Sequence, residues 1–159
     1  MRRFLYILGG LFLVILIAGG AAIAIAVFNG RTLDLESQAY VDASIPAIAK
    51  NWSDAELLER ATPELRKSMT QEQLDSLFSS FSRIGHMTRY KGSMGGSMVS
   101  YVAGVGKTVS ASYIAKATFR NGNAIFRIAL VKRNGHWLIN TLRVDLDSSI
   151  PVNQLRTAI

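Results

Sequence analysis

The chain has 159 residues, of which 49% are hydrophobic, and a formal net charge of +7 at neutral pH. A chain of this length suits one small domain with a core of its own. It contains no cysteine, which excludes disulfides and a cysteine-linked lipid anchor.

Residues 4–28 form an unbroken stretch of apolar and small side chains without a charge. As a helix the stretch would reach about 37 Å, which exceeds the ~30 Å hydrocarbon core of a bilayer. Arg2 and Arg3 precede it, whereas Asp34 and Glu36 lie soon after it. The positive-inside rule then predicts a single-pass protein of the cytoplasmic (inner) membrane, with its N-terminus inside and its domain periplasmic or extracellular.

Cleavage of this segment as a secretory signal is the alternative, and it would release a secreted soluble protein. The stretches 22–24 and 24–26, both Ala-Ile-Ala, fit the small-x-small cleavage pattern. A retained anchor is favoured because the apolar run continues through Phe28, further than a signal needs. Ala18, Ala22 and Ala26 are spaced by four, which is typical of helices that pack closely in membranes.

The predicted domains are therefore residues 1–30, a cytoplasmic tip and transmembrane helix, and residues 31–159, an exported domain. Charge is divided unevenly within the second. Residues 31–82 carry five basic and nine acidic side chains, whereas residues 83–159 carry eleven basic and two acidic ones. The basic excess predicts a surface for an acidic partner. Nucleic acid is not expected as a partner of an exported domain.

The first half of the domain is predicted to be helical. Over residues 34–50 one row holds Leu35, Ala39, Ala43 and Ala47, with Tyr40, Val41, Ile45 and Ile48 nearby. Pro46 should kink or split this helix. Further helix starts are predicted at three caps, namely the capping box Ser53–Glu56, Thr62-Pro63 and Thr70–Gln73. The last of these helices should end at Gly85 and present a core-facing stripe of Leu74, Leu77, Phe78 and Phe81.

After Gly85 the apolar period changes to two residues, which indicates strands. Strands are predicted over residues 98–103, 109–120, 124–132 and 136–145, with 86–91 as a further candidate. Asn121-Gly122 and Asn134-Gly135 predict hairpin turns, and Gly104–Thr108 predicts a glycine-rich one. The glycines at 92, 95 and 96, with Met94 and Met98, indicate a mobile loop, a bulged edge or a plain connection. Helices followed by a meander predict an α+β fold, with helices packed on a curved antiparallel sheet.

These features resemble the nuclear-transport-factor-2-like (cystatin-like cone) superfamily over about residues 35–147. The carriers are the helical opening 40–52, the turn and helix at Ala61–Leu65, and the paired hairpins with Gly135-His136-Trp137-Leu138-Ile139 in the last. The resemblance implies a cone-like domain. A short cytoplasmic tail, one span and then this domain is also similar in plan to the bitopic inner-membrane component of type IV secretion machines, although the chain is shorter than usual there.

Enzymes of the superfamily that the chain resembles place an acid, a histidine or a tyrosine inside the cone. Here the only acids of the sheet half, Asp145 and Asp147, end the last strand, and the two histidines, His86 and His136, lie beside a helix end and a turn. We therefore predict no catalytic residue, no metal site and no cofactor.

The leading hypothesis is a non-enzymatic bitopic membrane protein whose exported domain mediates protein–protein assembly in the cell envelope, with itself or with another protein. The candidate contacts are basic side chains of the sheet: Lys116, Arg120, Arg127, Arg133 and Arg143. The alternative is a module for a small apolar ligand, or a weak isomerase or dehydratase, with an open cone pocket. Its candidate lining residues are Tyr101, Tyr113 and Trp137, whereas a cone filled by Trp137, Phe119 and Phe126 would exclude it.

Overall fold

The computed structural model of the protein describes residues 30–102, 104 and 106–147. The apolar segment 4–28 and its cleavage patterns lie outside these residues. Within the described part of the chain, no helix is both long and apolar enough to cross a membrane.

Four helices precede four strands in the described residues, as the sequence pattern predicts. Helix α1 includes residues 30–50. The others are α2 (Asp54–Arg60), α3 (Pro63–Lys67) and α4 (Gln71–Ser82). The strands β1 (Met87–Val102), β2 (Gly106–Phe119), β3 (Gly122–Arg133) and β4 (His136–Asp147) pair in the order β1-β2-β3-β4 as one antiparallel sheet. The α+β class is confirmed.

The three predicted helix starts are confirmed by their caps. Ser53, Thr62 and Thr70 each accept a hydrogen bond from a backbone N–H in the first turn of α2, α3 and α4. The capping box at Thr70 is complete, because the Gln73 side chain in turn accepts a hydrogen bond from the backbone N–H of Thr70. At α2 the Glu56 carboxylate instead pairs with Arg60 at 2.5 Å, so only the serine half of that box is seen.

Helix α1 is not split at Pro46 and stays helical from residue 30 to residue 50. A proline in a helix interior removes one hydrogen bond. Val41 and Ile45 before it, and Ile48 after it, are all buried. Burial of large apolar side chains on both sides of the proline outweighs one lost backbone bond.

The buried face of α1 is not the row that spacing by four singles out. Leu35 is exposed, as are Ala39 and Ala43. The buried side chains instead include Ser37 and Ser44, both fully enclosed. Val41, Ile45 and Ile48, predicted beside that row, are buried as well. Hydrophobic periodicity indicates these three, but it cannot indicate two polar serines.

Strand β1 joins the two predicted strands into one long edge strand. Its pairing with β2 shifts register between Met87 and Arg89 and again between Tyr90 and Ser93. The glycine-rich middle therefore belongs to a bulged edge, which was one of the predicted alternatives. Gly104 lies in the hairpin to β2, which confirms the glycine-rich turn.

The hairpin between β3 and β4 forms as predicted. Asn134 and Gly135 have φ values of 51° and 82°, as a type I′ turn requires. The turn between β2 and β3 falls one residue earlier than predicted, at residues 120–121. Its two N–H groups donate to the carbonyls of His86 (3.0 Å) and Ile84 (2.9 Å), which ties the turn to the chain after α4.

The core lies between the helices and one face of the sheet. Alternate residues of β2 from Ala111 to Phe119, and of β3 from Ala124 to Leu130, are buried there. Trp52, just after α1, stacks on Phe119 at 5.2 Å and Phe126 at 6.2 Å between ring centroids, and it also contacts Phe81. In the predicted α4 stripe Leu77 is the exception, since it remains 41% exposed.

Candidate functional site

No helix among the described residues covers the face of the sheet opposite the core, and this face carries large apolar side chains. Met94 is 80% exposed, Met98 64% and Ile114 46%. Scattered exposed residues of this kind are ordinary on a protein surface. These side chains are informative because some of them lie next to one another on paired strands.

Strand register places four of the outward residues in one row across the whole sheet. Met94 pairs with Ile114, Ile114 with Arg127, and Arg127 with Arg143. Directly paired residues of antiparallel strands share a face and lie next to one another. We call the surface around this row the outer face. It contains a shallow groove of about 450 Å³ whose lining includes all four residues.

The outer face also gathers three of the five predicted contact residues. Lys116 is exposed between two buried alanines of β2, so it points the same way as Ile114. Arg127 and Arg143 both contact the carboxylate of Asp145, Arg143 through Nε at 3.2 Å and Arg127 in a close ion pair. Two guanidinium groups share one carboxylate, so this part of the face keeps a positive charge.

The other two predicted residues lie elsewhere. Arg120 is in the turn between β2 and β3. Arg133 ends β3 and is held by Glu64 of α3, with one nitrogen 2.9 and 3.0 Å from the two carboxylate oxygens. Neither belongs to the basic cluster on the outer face.

The helix side of the sheet contains a separate apolar cavity of about 250 Å³. Its walls come from the end of α1, from α2 to α4 and from β4, and they include Trp52, Met69, Phe78 and Leu142. Among the described residues that line it, Arg143 alone is charged, but its guanidinium lies on the outer face against Asp145. Such a space can hold a small apolar group.

The three predicted pocket residues are not brought together, and none of them lines this cavity. Tyr101 is 78% exposed near the end of β1. The Tyr113 hydroxyl is 2.8 Å from Ser37 Oγ of α1, and burial raises the pKa of this tyrosine. Trp137 is buried at the start of β4 with the ammonium of Lys132 5.4 Å from its ring centroid. Phe119 and Phe126 fill the space beneath the sheet together with Trp52, not with Trp137.

A polar seam joins α1 to β1, and sequence reasoning missed it. Asp34 accepts hydrogen bonds from the backbone N–H (2.6 Å) and hydroxyl (2.5 Å) of Ser97, which lower the pKa of its carboxyl. Asp42 accepts from Ser93 Oγ at 2.6 Å and from the Tyr90 hydroxyl at 2.7 Å. Burial, and then the Asp42 carboxylate, raise the pKa of Tyr90. The sequence does contain a signal for this seam, because Asp34 and Asp42 lie eight residues apart and therefore on one side of a helix.

The histidines form no site with these acids. His86 and His136 are both exposed and lie beside turns at opposite ends of β3. In the described ranges, no group of three or more histidines and carboxylates could hold a metal ion.

Known protein families, curated proteins and solved structures were each compared with the chain, and none of them matches it. The resemblance to the nuclear-transport-factor-2-like superfamily therefore stays a prediction from sequence pattern. The structure shows an α+β domain with helices on one face of an open, four-stranded antiparallel sheet.

Proposed function

We propose that the protein is a non-enzymatic, single-pass protein of the cell envelope whose exported domain binds an acidic protein through the outer face. The observation that carries this proposal is the row of Met94, Ile114, Arg127 and Arg143 across a sheet face that no described element covers. Two apolar side chains on β1 and β2 adjoin two arginines on β3 and β4, and methionine and arginine are both enriched at protein interfaces.

The sign of the charge selects the partner. Arg127, Arg143 and Lys116 offer three cations, with Asp145 as the anion between the two arginines. Face-to-face pairing of two copies would bring like charges together, which costs affinity. An acidic surface would gain from the same groups, so another protein fits this face better than a second copy does.

The apolar segment 4–28 supports the membrane part of the proposal, because it would hold the domain at the membrane where envelope assemblies are built. The finer fold, a cone of the nuclear-transport-factor-2-like kind, belongs to the same proposal. Helices confined to one face of a meander support it.

Blue-native electrophoresis of detergent-solubilised membranes tests this function. We expect the wild-type chain to migrate in a complex, and the double variant Arg127→Ala, Arg143→Ala to shift towards the monomer. The matched control is Lys50→Ala, Lys67→Ala, which removes two exposed cations from the helix layer. A wild-type chain that migrates as a monomer, or a complex equally weakened by both double variants, would contradict the proposal.

The apolar cavity favours a second candidate function, the binding of a small apolar ligand. Its walls are almost wholly hydrocarbon, as a pocket for an apolar ligand requires. A naphthylamine dye should gain fluorescence with the wild-type protein and less with Met69→Trp, which adds volume at the wall. Met94→Trp, on the outer face, is the control. Equal dye fluorescence with all three proteins would reject this candidate.

A further inference from the structure

The direction of α1 relative to β1 shows which end of the sheet lies near residue 30, the first described residue of α1. Asp34 contacts Ser97, whereas Asp42, eight residues later, contacts Ser93 and Tyr90. Positions along the helix therefore rise as positions along the strand fall. The beginning of α1 lies at the end of β1 that leads into the β1–β2 hairpin.

A comparison of lengths along β1 and along α1 places the hairpin beyond residue 30, the first described residue of the helix. From Ser97 to Tyr101 the strand advances about 13 Å at ~3.3 Å per residue. From Asp34 back to residue 30 the helix covers only about 6 Å at ~1.5 Å per residue. Tyr101 thus extends about 7 Å past residue 30, in the direction of decreasing residue number along α1. The apolar stretch ends two residues before residue 30, at Phe28.

The side chains at this end suit a lipid surface. Tyr101 is 78% exposed and Val99, two residues before it on the same face, is 40% exposed. Lys107 pairs directly with Tyr101 across the hairpin, and Arg31 is exposed near the beginning of α1. Tyrosine rings and long basic side chains are enriched where a membrane meets water.

The nearby acids cancel this charge only in part. Glu36 forms an ion pair with Lys132, whereas Asp34 keeps its negative charge, because its partner Ser97 is neutral. Two cations, Lys107 and Arg31, then stand against one acid, and each cation near the surface contributes about 1 kcal/mol of attraction to anionic headgroups.

From this placement we infer that the β1–β2 hairpin docks on the membrane beside the anchor, with Tyr101 in the interface and Lys107 among anionic headgroups. The inference rests on the proposed membrane anchor. It would fix the tilt of the domain and turn the outer face sideways, parallel to the membrane normal, where a neighbouring envelope protein can reach it.

The test uses the full chain in vesicles of phosphatidylcholine and phosphatidylglycerol whose acyl chains carry bromine, a quencher of tryptophan emission. Tyr101→Trp places a reporter at the hairpin. Met94→Trp, about 23 Å away along β1 at ~3.3 Å per residue, is the matched control. The native Trp52 and Trp137 are buried and supply a constant background. We expect brominated lipid to remove about half of the added emission of Tyr101→Trp and almost none of that of Met94→Trp.

A second pair of variants tests the charge. In the Tyr101→Trp background, Lys107→Glu should reduce the quenching, whereas Lys91→Glu, at an exposed position in the other half of β1, should not. Retention of the protein by the vesicles after an alkaline wash measures the anchor separately. Retained protein with equal quenching at positions 101 and 94 would overturn the hairpin contact alone. Protein released by the wash would overturn the anchor and the hairpin contact together.

Discussion

At the scale of single residues, Asp34 is the side chain that fastens the beginning of α1 to the sheet. Both hydrogen-bond donors of Ser97, the backbone N–H and the hydroxyl, reach one of its carboxylate oxygens. Hydrogen bonds to the charged form favour that form, so the pKa of the carboxyl is lower in the folded chain than in the unfolded one. This depression ties the stability of the domain to pH.

Asp34→Asn should lower the free energy of unfolding at neutral pH by about 1–2 kcal/mol, because the two hydrogen bonds from Ser97 would then reach a neutral amide oxygen, a weaker acceptor than a carboxylate. The stabilisation by a depressed pKa is present above the ordinary value of 3.8 and is lost as the pH falls through the lowered one. The difference between wild type and variant should therefore shrink in acid. Urea unfolding of the full chain in detergent at neutral and acidic pH measures it. Asp75→Asn, at an exposed position of α4, is the control, and a pH-independent difference would contradict this account.

The structure also explains why position 95 is a glycine. A Cβ at this position would meet the Ser112 carbonyl oxygen, and it would lie only 2.8 Å from Tyr113 Cα, which is backbone that cannot swing away. At the neighbouring Gly96 the nearest atom would be Asp34 Oδ1 at 3.6 Å, an ordinary contact.

Gly95→Ala should therefore lower the free energy of unfolding by about 3 kcal/mol or more, the upper range for overpacking, whereas Gly96→Ala should change it by less than about 1 kcal/mol. The measurement is urea unfolding of both variants side by side. Equal effects of the two substitutions would show that β1 and β2 do not approach as closely at Gly95 as described.

At the scale of elements, α1 keeps its helical form despite Pro46. The missing proline N–H leaves the carbonyl of Asp42, one turn earlier, without its usual helical donor. Pro46→Ala should restore that bond and raise the free energy of unfolding by about 2 kcal/mol, since the gain in the helix exceeds the entropy that proline removes from the unfolded chain. Thermal unfolding followed by circular dichroism measures the change. A less stable variant would mean that α1 requires the proline.

The strands differ in how far sequence predicts them. The inward faces of β2 and β3 can be predicted from the alternation of apolar and polar residues, because each strand is buried on one side and exposed to solvent on the other. Strand β1 does not alternate in this way, since it is an edge with two register shifts and three glycines. The buried face of α1 was predicted only in part, because Val41, Ile45 and Ile48 are apolar whereas Ser37 and Ser44, which share this face, are polar.

The candidate site was predictable only in part, for a related reason. Alternation along a strand shows that Lys116, Arg127 and Arg143 point away from the core. Only the register between strands shows that Arg127 and Arg143 are neighbours and that Met94 and Ile114 complete their row. Register depends on bulges and turns as well as on pattern, so sequence did not separate these residues from Arg120 and Arg133.

At the scale of the whole molecule, charge and exposed apolar surface occur on the same side of the sheet. The proposed complex should accordingly weaken as salt is raised, because the surface cations would be screened over about 8 Å at physiological ionic strength. Blue-native separation after extraction at low and high salt measures this effect. A complex that strengthens with salt would point to apolar contacts alone.

The central claim is that the outer face binds a partner protein. A photo-crosslinking amino acid placed at Ile114 in intact membranes tests it most directly, with the same group at the exposed Glu72 of α4 as the control. The account predicts a discrete adduct at position 114 that disappears with Arg127→Ala, Arg143→Ala, and none at position 72. No adduct at position 114, or the same adducts at both positions, would contradict it.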